Sequence, residues 1–364
     1  MNVIDTTEGC RYCLMCRHIC PVTRVTFNEA TSPHGWALAI ASVRRGLLDW
    51  DAETANLLYQ CADCGACQAF CVTGQPLPQA IVAARAQVAA AGGAPAAVAD
   101  VAAALTRWGN PYGPADAPTP RAKPTMLLAG AVAWHRERAQ LDAAQALLEH
   151  AGVAHGLLAA GRDTGYLAYT LGLHDLAASL ARATADEIGQ SGCRSVLVLE
   201  PEQAWLLREI YPALGAPLPD TVEVIELVDT LARLLAEGQL RLQPLAGAHE
   251  LAYHDPCHTP RRPDRADAPR RLLAALLGGA PAEGFWRAKR AASCGASGGL
   301  PWTQPALAGA LARAAIADAL GGARRTLVCD APGCLAHLRA NAGEQTAVKG
   351  LYELLAEHAL SGER

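Results

Sequence analysis

Two cysteine runs constrain this chain more than any other feature. The first is Cys10-x-x-Cys13-x-x-Cys16-x-x-x-Cys20-Pro21, and the second is Cys61-x-x-Cys64-x-x-Cys67-x-x-x-Cys71. Three thiolates this close in sequence can wrap one 4Fe–4S cubane and hold three of its irons. The fourth lies too far along to close the same wrap and reaches the other cluster. The spacing therefore assigns one cluster to Cys10, Cys13, Cys16 and Cys71, and a second to Cys61, Cys64, Cys67 and Cys20. Zinc favours pairs of C-x-x-C knuckles over a triple with a longer last step. A disulfide framework suits a short secreted chain. Val72 replaces the proline of the first run, a minor change because that proline shapes the turn and ligates nothing.

At 364 residues the chain can hold two or three domains with cores of their own. A net charge of −4 argues against a nucleic-acid partner. There is no charge-free apolar run of about 18 residues, so no transmembrane segment is expected. The start, MNVIDTTEGC, has neither a basic nor an apolar region of the signal-peptide kind. Thirteen cysteines in such a chain point to metal in a reducing cytoplasm. Without a strongly basic amphipathic helix, peripheral membrane contact would come through a partner.

Residues 1–91 read as a mostly helical two-cluster module. Apolar residues recur at helical spacing over 35–48, 51–59 opens with acidic residues, and 78–91 opens with proline. Residues 92–124 form a connector, with a short helix over 97–106 and then a Pro- and Gly-rich strap pinned by Trp108 and Tyr112. From 125 the pattern becomes α/β. Strands are expected at 126–133, 195–199 and 222–227, with helices at 140–151, 175–190 and 202–211 and another ending near 237. The order then recurs, with strands at 251–254 and 326–329 and helices at 268–277, 305–320, 333–340 and 349–360. Residues 125–240 and 247–364 thus read as two copies of one parallel-sheet unit. The fold class is α+β and multidomain.

The second copy carries Cys257 in YHDPCH, Cys294 in SCGASGG, and Cys329 and Cys334 in VCDAPGCLAHL. Loops that follow parallel strands gather at one edge of a sheet, so the four thiols can converge. Gly295, Gly298 and Gly299 would let the backbone approach a bulky inorganic group. One reading is a third metal site, another iron–sulfur cluster; the other is four buried free cysteines. His18, His254 and His258 flank these ligands and can hydrogen-bond to a cluster or serve structure alone.

Together the two runs, the connector with WGNPYG and the cysteine-rich repeats resemble the iron–sulfur subunit of glycolate oxidase, among the heterodisulfide reductase-like proteins. In that family each repeat carries an early Cys, then Cys-Cys-Gly, then C-P-x-C. Here Cys257 matches the early Cys, Ser293-Cys294-Gly295 stands for Cys-Cys-Gly, and Ala331-Pro332-Gly333-Cys334 has lost its first thiol, for which Cys329 can substitute. The first repeat has lost every ligand. Gly130-Ala131, Asp163-Thr164-Gly165 and Glu200-Pro201-Glu202-Gln203 stand in their places, with Glu200 and Asp163 expected as surface or capping residues. Cys193 lies outside the pattern.

The resemblance implies an iron–sulfur electron-transfer subunit. It would carry single electrons from a partner FAD-dependent dehydrogenase of the 2-hydroxy acid or amine type. The acceptor would be a quinone, an electron-transfer flavoprotein or another carrier. No flavin, nicotinamide, Ser-His-Asp or HExxH pattern is present, so no catalytic residue is assigned. The alternative is a heterodisulfide or thiol–disulfide reductase-like catalytic subunit using a C-terminal cluster.

Overall fold

The computed structural model describes residues 3–245, 251–258, 267–322 and 326–360. It combines helices with parallel sheets, and the helical part comes first. Ser32 starts helix Pro33–Arg44 by accepting the Gly35 N–H, and Asp51 starts Ala52–Leu58 by accepting that of Thr54. Short polar side chains at this position satisfy N–H groups that have no partner inside the helix. A third helix, Leu77–Ala90, has proline in its first turn. Trp36, Ile40, Leu58, Tyr59 and Ile81 from these helices and their ends share one buried core; the first cysteine run lies ahead of them, before helix Pro21–Thr26, and the second lies between Ala52–Leu58 and Leu77–Ala90, with Cys67 in the short helix Ala66–Ala69.

The first α/β unit is a four-stranded parallel sheet ordered β2-β1-β3-β4. Its strands are β1 (Thr125–Leu128), β2 (His155–Leu158), β3 (Ser195–Val198) and β4 (Glu223–Glu226). β1 and β3 read as continuous apolar runs because helices cover both faces of such a sheet. The strand expected over 126–133 stops early. At Gly130 the chain takes φ +65° and enters helix Gly130–His135. β2, with the sequence HGLL, carried no strand signal.

The second unit holds β5 (Leu251–Tyr253), β6 (Thr326–Cys329) and β7 (Ala347–Gly350), parallel and in that order. An isolated parallel bridge joins Ala252 to Ala282 on β5. Counted as a vestigial edge strand, it gives the second sheet the order of the first. β7 corrects the expected helix over 349–360, which is shortened to Leu351–Glu357. Leucines of helices Arg138–His150, Leu227–Ala236, Ala268–Leu277 and Leu351–Glu357 bury together between the sheets. In the connector, helix Ala96–Trp108 leads to Tyr112, whose ring lies 5.6 Å from His135 and 5.9 Å from Trp302. Trp108 is 39% exposed, with Arg107 over its ring, so Tyr112 is the more firmly packed of the two residues expected to pin the strap. No helix among the described residues is long and apolar enough to cross a membrane.

Candidate metal centres

The N-terminal runs fold into two thiol sets. Cys10, Cys13, Cys16 and Cys71 line one cavity of about 340 Å³, and Cys20, Cys61, Cys64 and Cys67 line another of about 300 Å³. A third hollow is walled by Cys10, Cys16, Cys67 and Cys71, so the two sets are neighbours. Four thiols around each open space suit a bulky inorganic group. The loops adopt unusual backbone to achieve this. Tyr12, Leu14 and Asp63 sit at φ +48°, +61° and +49°, a region that non-glycine residues rarely occupy. Such strain persists where the surroundings dictate it. Burial pushes the Cys16 and Cys20 thiols up to about 11 and Cys67 well above its usual range. A metal bound there must therefore displace thiol protons.

The second set is clamped between all three parts of the molecule. Arg85 is wholly buried, and every hydrogen bond it donates goes to a backbone carbonyl. The acceptors are Leu58 and Cys61 in the module, Thr170 in the first unit and Gly298 in the second. Tyr59 donates to the Leu171 carbonyl at 3.2 Å, and Ser297 to that of Ala62 at 2.6 Å. Asp63, beside Cys64, accepts from the Tyr166 hydroxyl at 3.2 Å. Burial raises its carboxyl, while the charges of His258 and Arg85 hold it down.

The glycines of the C-terminal loop do allow close approach, but to protein backbone. A Cβ on Gly298 would lie 2.7 Å from the Ala62 carbonyl carbon and the Cys61 carbonyl oxygen, and one on Gly295 would lie 2.7 Å from the Ala308 carbonyl oxygen. Of the C-terminal cysteines, Cys294 and Cys334 come together, with His254 as third member: their ligand atoms all lie within 4.8 Å of one another. Cys329 Sγ lies 3.9 Å from the Ala331 carbonyl oxygen and interacts with the Cys334 thiol. Cys257 stands to one side, its Sγ 3.9 Å from Ser297 Oγ. In the sequence His254 was only a neighbour of candidate ligands; its convergence depends on the fold. His18 joins no such group, and the ring of His258 packs against Tyr166 and Trp205.

Between the two units opens a cavity of about 840 Å³, mouth included, whose walls include Tyr112, Asp163, Glu200, Gln203, Cys257 and Cys334. Asp163 Oδ1 accepts the Gly165 N–H at 2.7 Å, a capping role. Glu200 is only 7% exposed and so is not a surface residue. Burial and the neighbouring Glu202 carboxylate push it well above the usual range, and the Gly333 N–H holds it down.

Residues 6–74 match the family model described as a 4Fe-4S dicluster domain, and residues 251–339 match that described as a cysteine-rich domain. The chain is 29% identical over 351 residues to a probable membrane-anchored ferredoxin of Chromohalobacter salexigens, covering 90% of this chain and 51% of that protein. It is 28% identical to the probable iron-sulfur-binding oxidoreductase FadF of Bacillus subtilis, covering 60% of this chain and 31% of that one. It is 29% identical to one component of the dihydromethanophenazine:CoB–CoM heterodisulfide reductase of Methanosarcina barkeri, covering 50% of this chain and 45% of that one. The chain thus spans between about a third and about half of the length of these relatives. Among solved structures, a hypothetical protein from Helicobacter pylori shares the fold. Its TM-score is 0.61 at 11% identity, over 92% of this chain and 68% of that one. The two domain matches indicate iron–sulfur clusters.

Proposed function

We propose that this electron-transfer protein of the iron–sulfur oxidoreductase type is the one-electron relay of a flavoprotein complex. It takes electrons from a partner FAD-dependent dehydrogenase acting on a 2-hydroxy acid or an amine. It passes them to a quinone, an electron-transfer flavoprotein or another carrier. The observation that carries this reading is the pair of adjacent four-thiol sets in one module. Cys10, Cys13, Cys16 and Cys71 would hold one 4Fe–4S cluster, and Cys20, Cys61, Cys64 and Cys67 the other. When bound, such clusters supply one-electron chemistry at potentials set by charge, burial and hydrogen bonds to sulfur.

The protein's own residues shape both ends of the relay. Cys13 is exposed, and Tyr12, Leu14, Met15 and Val72 around the first set are all between 44% and 67% exposed, an apolar rim suited to a protein partner. The second set is buried against the α/β units under Arg85. One relative carries the words membrane-anchored in its name, so a peripheral position at a membrane, reached through a partner, belongs to the same proposal. The reductase alternative is weaker because the first unit has no thiol at any of its ligand positions.

The test is anaerobic purification of the full chain with its bound partners. A co-purifying flavoprotein that, on addition of a 2-hydroxy acid or an amine, develops the electron paramagnetic resonance of reduced clusters supports the relay. Clusters that no flavoprotein reduces, but that disulfides reoxidise after chemical reduction, would overturn it in favour of the reductase.

A further inference from the structure

A cysteine-rich domain of the matched kind implies an iron–sulfur cluster, and the residues of the second α/β unit do not fit one. Two thiols of the five-cysteine pattern are replaced, by Ser293 and Ala331. Ser293 is no spare ligand, because its Oγ accepts the Gly295 N–H at 3.1 Å and closes the turn. Cys257 falls outside the compact group: its Sγ lies 3.9 Å from Ser297 Oγ, and it acts on Cys334 through charge across the cavity they both line. What remains is compact. His254 follows β5, Cys294 lies in the glycine-rich loop, Cys329 ends β6, and Cys334 sits in the first turn of helix Pro332–Asn341.

The dimensions discriminate between a cluster and an ion. A cubane spreads its thiolates over separate irons, and the N-terminal sets accordingly stand around open cavities. A tetrahedral ion with bonds of about 2.0–2.3 Å brings its ligand atoms within about 4 Å of one another. Among the described residues, His254, Cys294 and Cys334 are the one group of three candidate ligands gathered within 4.8 Å. The Cys334 thiol interacts with those of both Cys294 and Cys329. His254, Cys294 and Cys329 are 6%, 1% and 0% exposed. The His254 ring acts on the Cys294 thiol through charge and hydrogen bonding, and its Nε2 is buried with no partner of its own.

We infer that His254, Cys294, Cys329 and Cys334 hold one tetrahedral divalent ion of the zinc class, and that no iron–sulfur cluster is built in this unit. Three thiolates and an imidazole form a closed structural set of the Cys3His type. Soft sulfur with imidazole selects zinc over the hard cations. The ion clasps the ends of β5 and β6 to the glycine-rich loop and to the start of the next helix. It carries no electron, so it leaves the relay to the N-terminal module.

The experiment is metal analysis of the full chain purified anaerobically, with X-ray absorption at the zinc edge and resonance spectra of the reduced N-terminal clusters. The expected result is about eight irons, four per cluster, and one zinc with three sulfur neighbours, one nitrogen and no metal–metal vector. His254→Cys should keep the zinc and convert its shell to four sulfurs. Cys334→Ala should lower the zinc at unchanged iron. About twelve irons without zinc would overturn the inference in favour of a third cluster. Eight irons with no second metal would overturn it in favour of buried free thiols. Neither result depends on whether a flavoprotein is the electron donor, which is tested separately.

Discussion

The two α/β units use the same turn for different ends. After the second strand position of each unit, a side chain accepts the N–H of the glycine two residues on: Asp163 Oδ1 from Gly165 at 2.7 Å, Ser293 Oγ from Gly295 at 3.1 Å. Both glycines take positive φ, +99° and +89°. A Cβ on either would meet a helix carbonyl, Ala177 O at 2.9 Å or Ala308 O at 2.7 Å. Pro201 and Pro332 open the helices after β3 and β6 in the same way. Between the turn ends the chemistry differs: Thr164 in one unit, Cys294 in the other. The glycine thus belongs to the fold and the thiol to the metal, and the two have separated in this chain.

The largest expected effect lies outside both units and sets the scale for them. Cys67→Ala should remove one cluster, taking iron from about eight to about four per chain. Because the fourth cysteine of each run crosses over, Cys20→Ala should extinguish the same resonance signal as Cys67→Ala, and Cys71→Ala the other one. In the first unit, Cys193→Ser should leave iron unchanged, since Cys193 is 3% exposed and lines neither of the two thiol cavities. Loss of the Cys67→Ala signal from Cys71→Ala instead of Cys20→Ala would defeat the crossed assignment.

Next in size is Arg85, which grips both units at once through Thr170 and Gly298. Arg85→Met would strand buried carbonyls at about 1–3 kcal/mol for each unsatisfied group, on the order of 4 kcal/mol in all. Denaturant unfolding followed by tryptophan fluorescence would read the loss. The guanidinium also places positive charge beside Cys61. The second cluster's reduction potential should therefore fall in the variant while the first holds. An unchanged potential would leave Arg85 a purely structural clamp.

The equivalence of the turns is tested by Gly165→Ala and Gly295→Ala. Each forces an alanine to positive φ and drives a Cβ against backbone, so each should cost about 3 kcal/mol. The comparison breaks if Gly295→Ala destabilises and Gly165→Ala does not, because the glycine would then serve the metal unit alone.

Legibility in the sequence followed the range of the interactions. The ligand runs are local, so spacing alone marked them. The longer helices from 33 to 108 and from 138 to 236 were readable from period and caps, whereas the short Ala66–Ala69 and Tyr166–Thr170 were not. β2 and β7 were not: HGLL and AVKG are four residues long and mostly half-buried or exposed, with glycine in each, so they lack a strand's apolar signature. His254 was unreadable as a ligand because its partners come from three later segments. The burial of Glu200 was hidden for the same reason: the backbone it reaches, Gly333, lies in the other unit.

The smallest effect concerns the carboxylate that took the serine's place in the first unit. Burial raises Asp163 to about 6, partly offset by the Gly165 and Leu167 N–H groups. The unfolded value is about 3.9. The folded state therefore keeps its proton longer, and stability falls as pH climbs from about 4 to about 6, with the full penalty present above that. Asparagine retains the oxygen that accepts from Gly165 but cannot ionise. Asp163→Asn should match the parent near pH 3, below both values, and exceed it by about 2 kcal/mol at pH 7.5, since two pKa units correspond to somewhat under 3 kcal/mol before screening at this part-buried site. Melting temperatures across that range would show a gap widening with pH. Ser293→Ala, its counterpart, has no charge to lose and should give a gap of constant size; parallel pH profiles for the two variants would mean that Asp163 is not titrating in the turn.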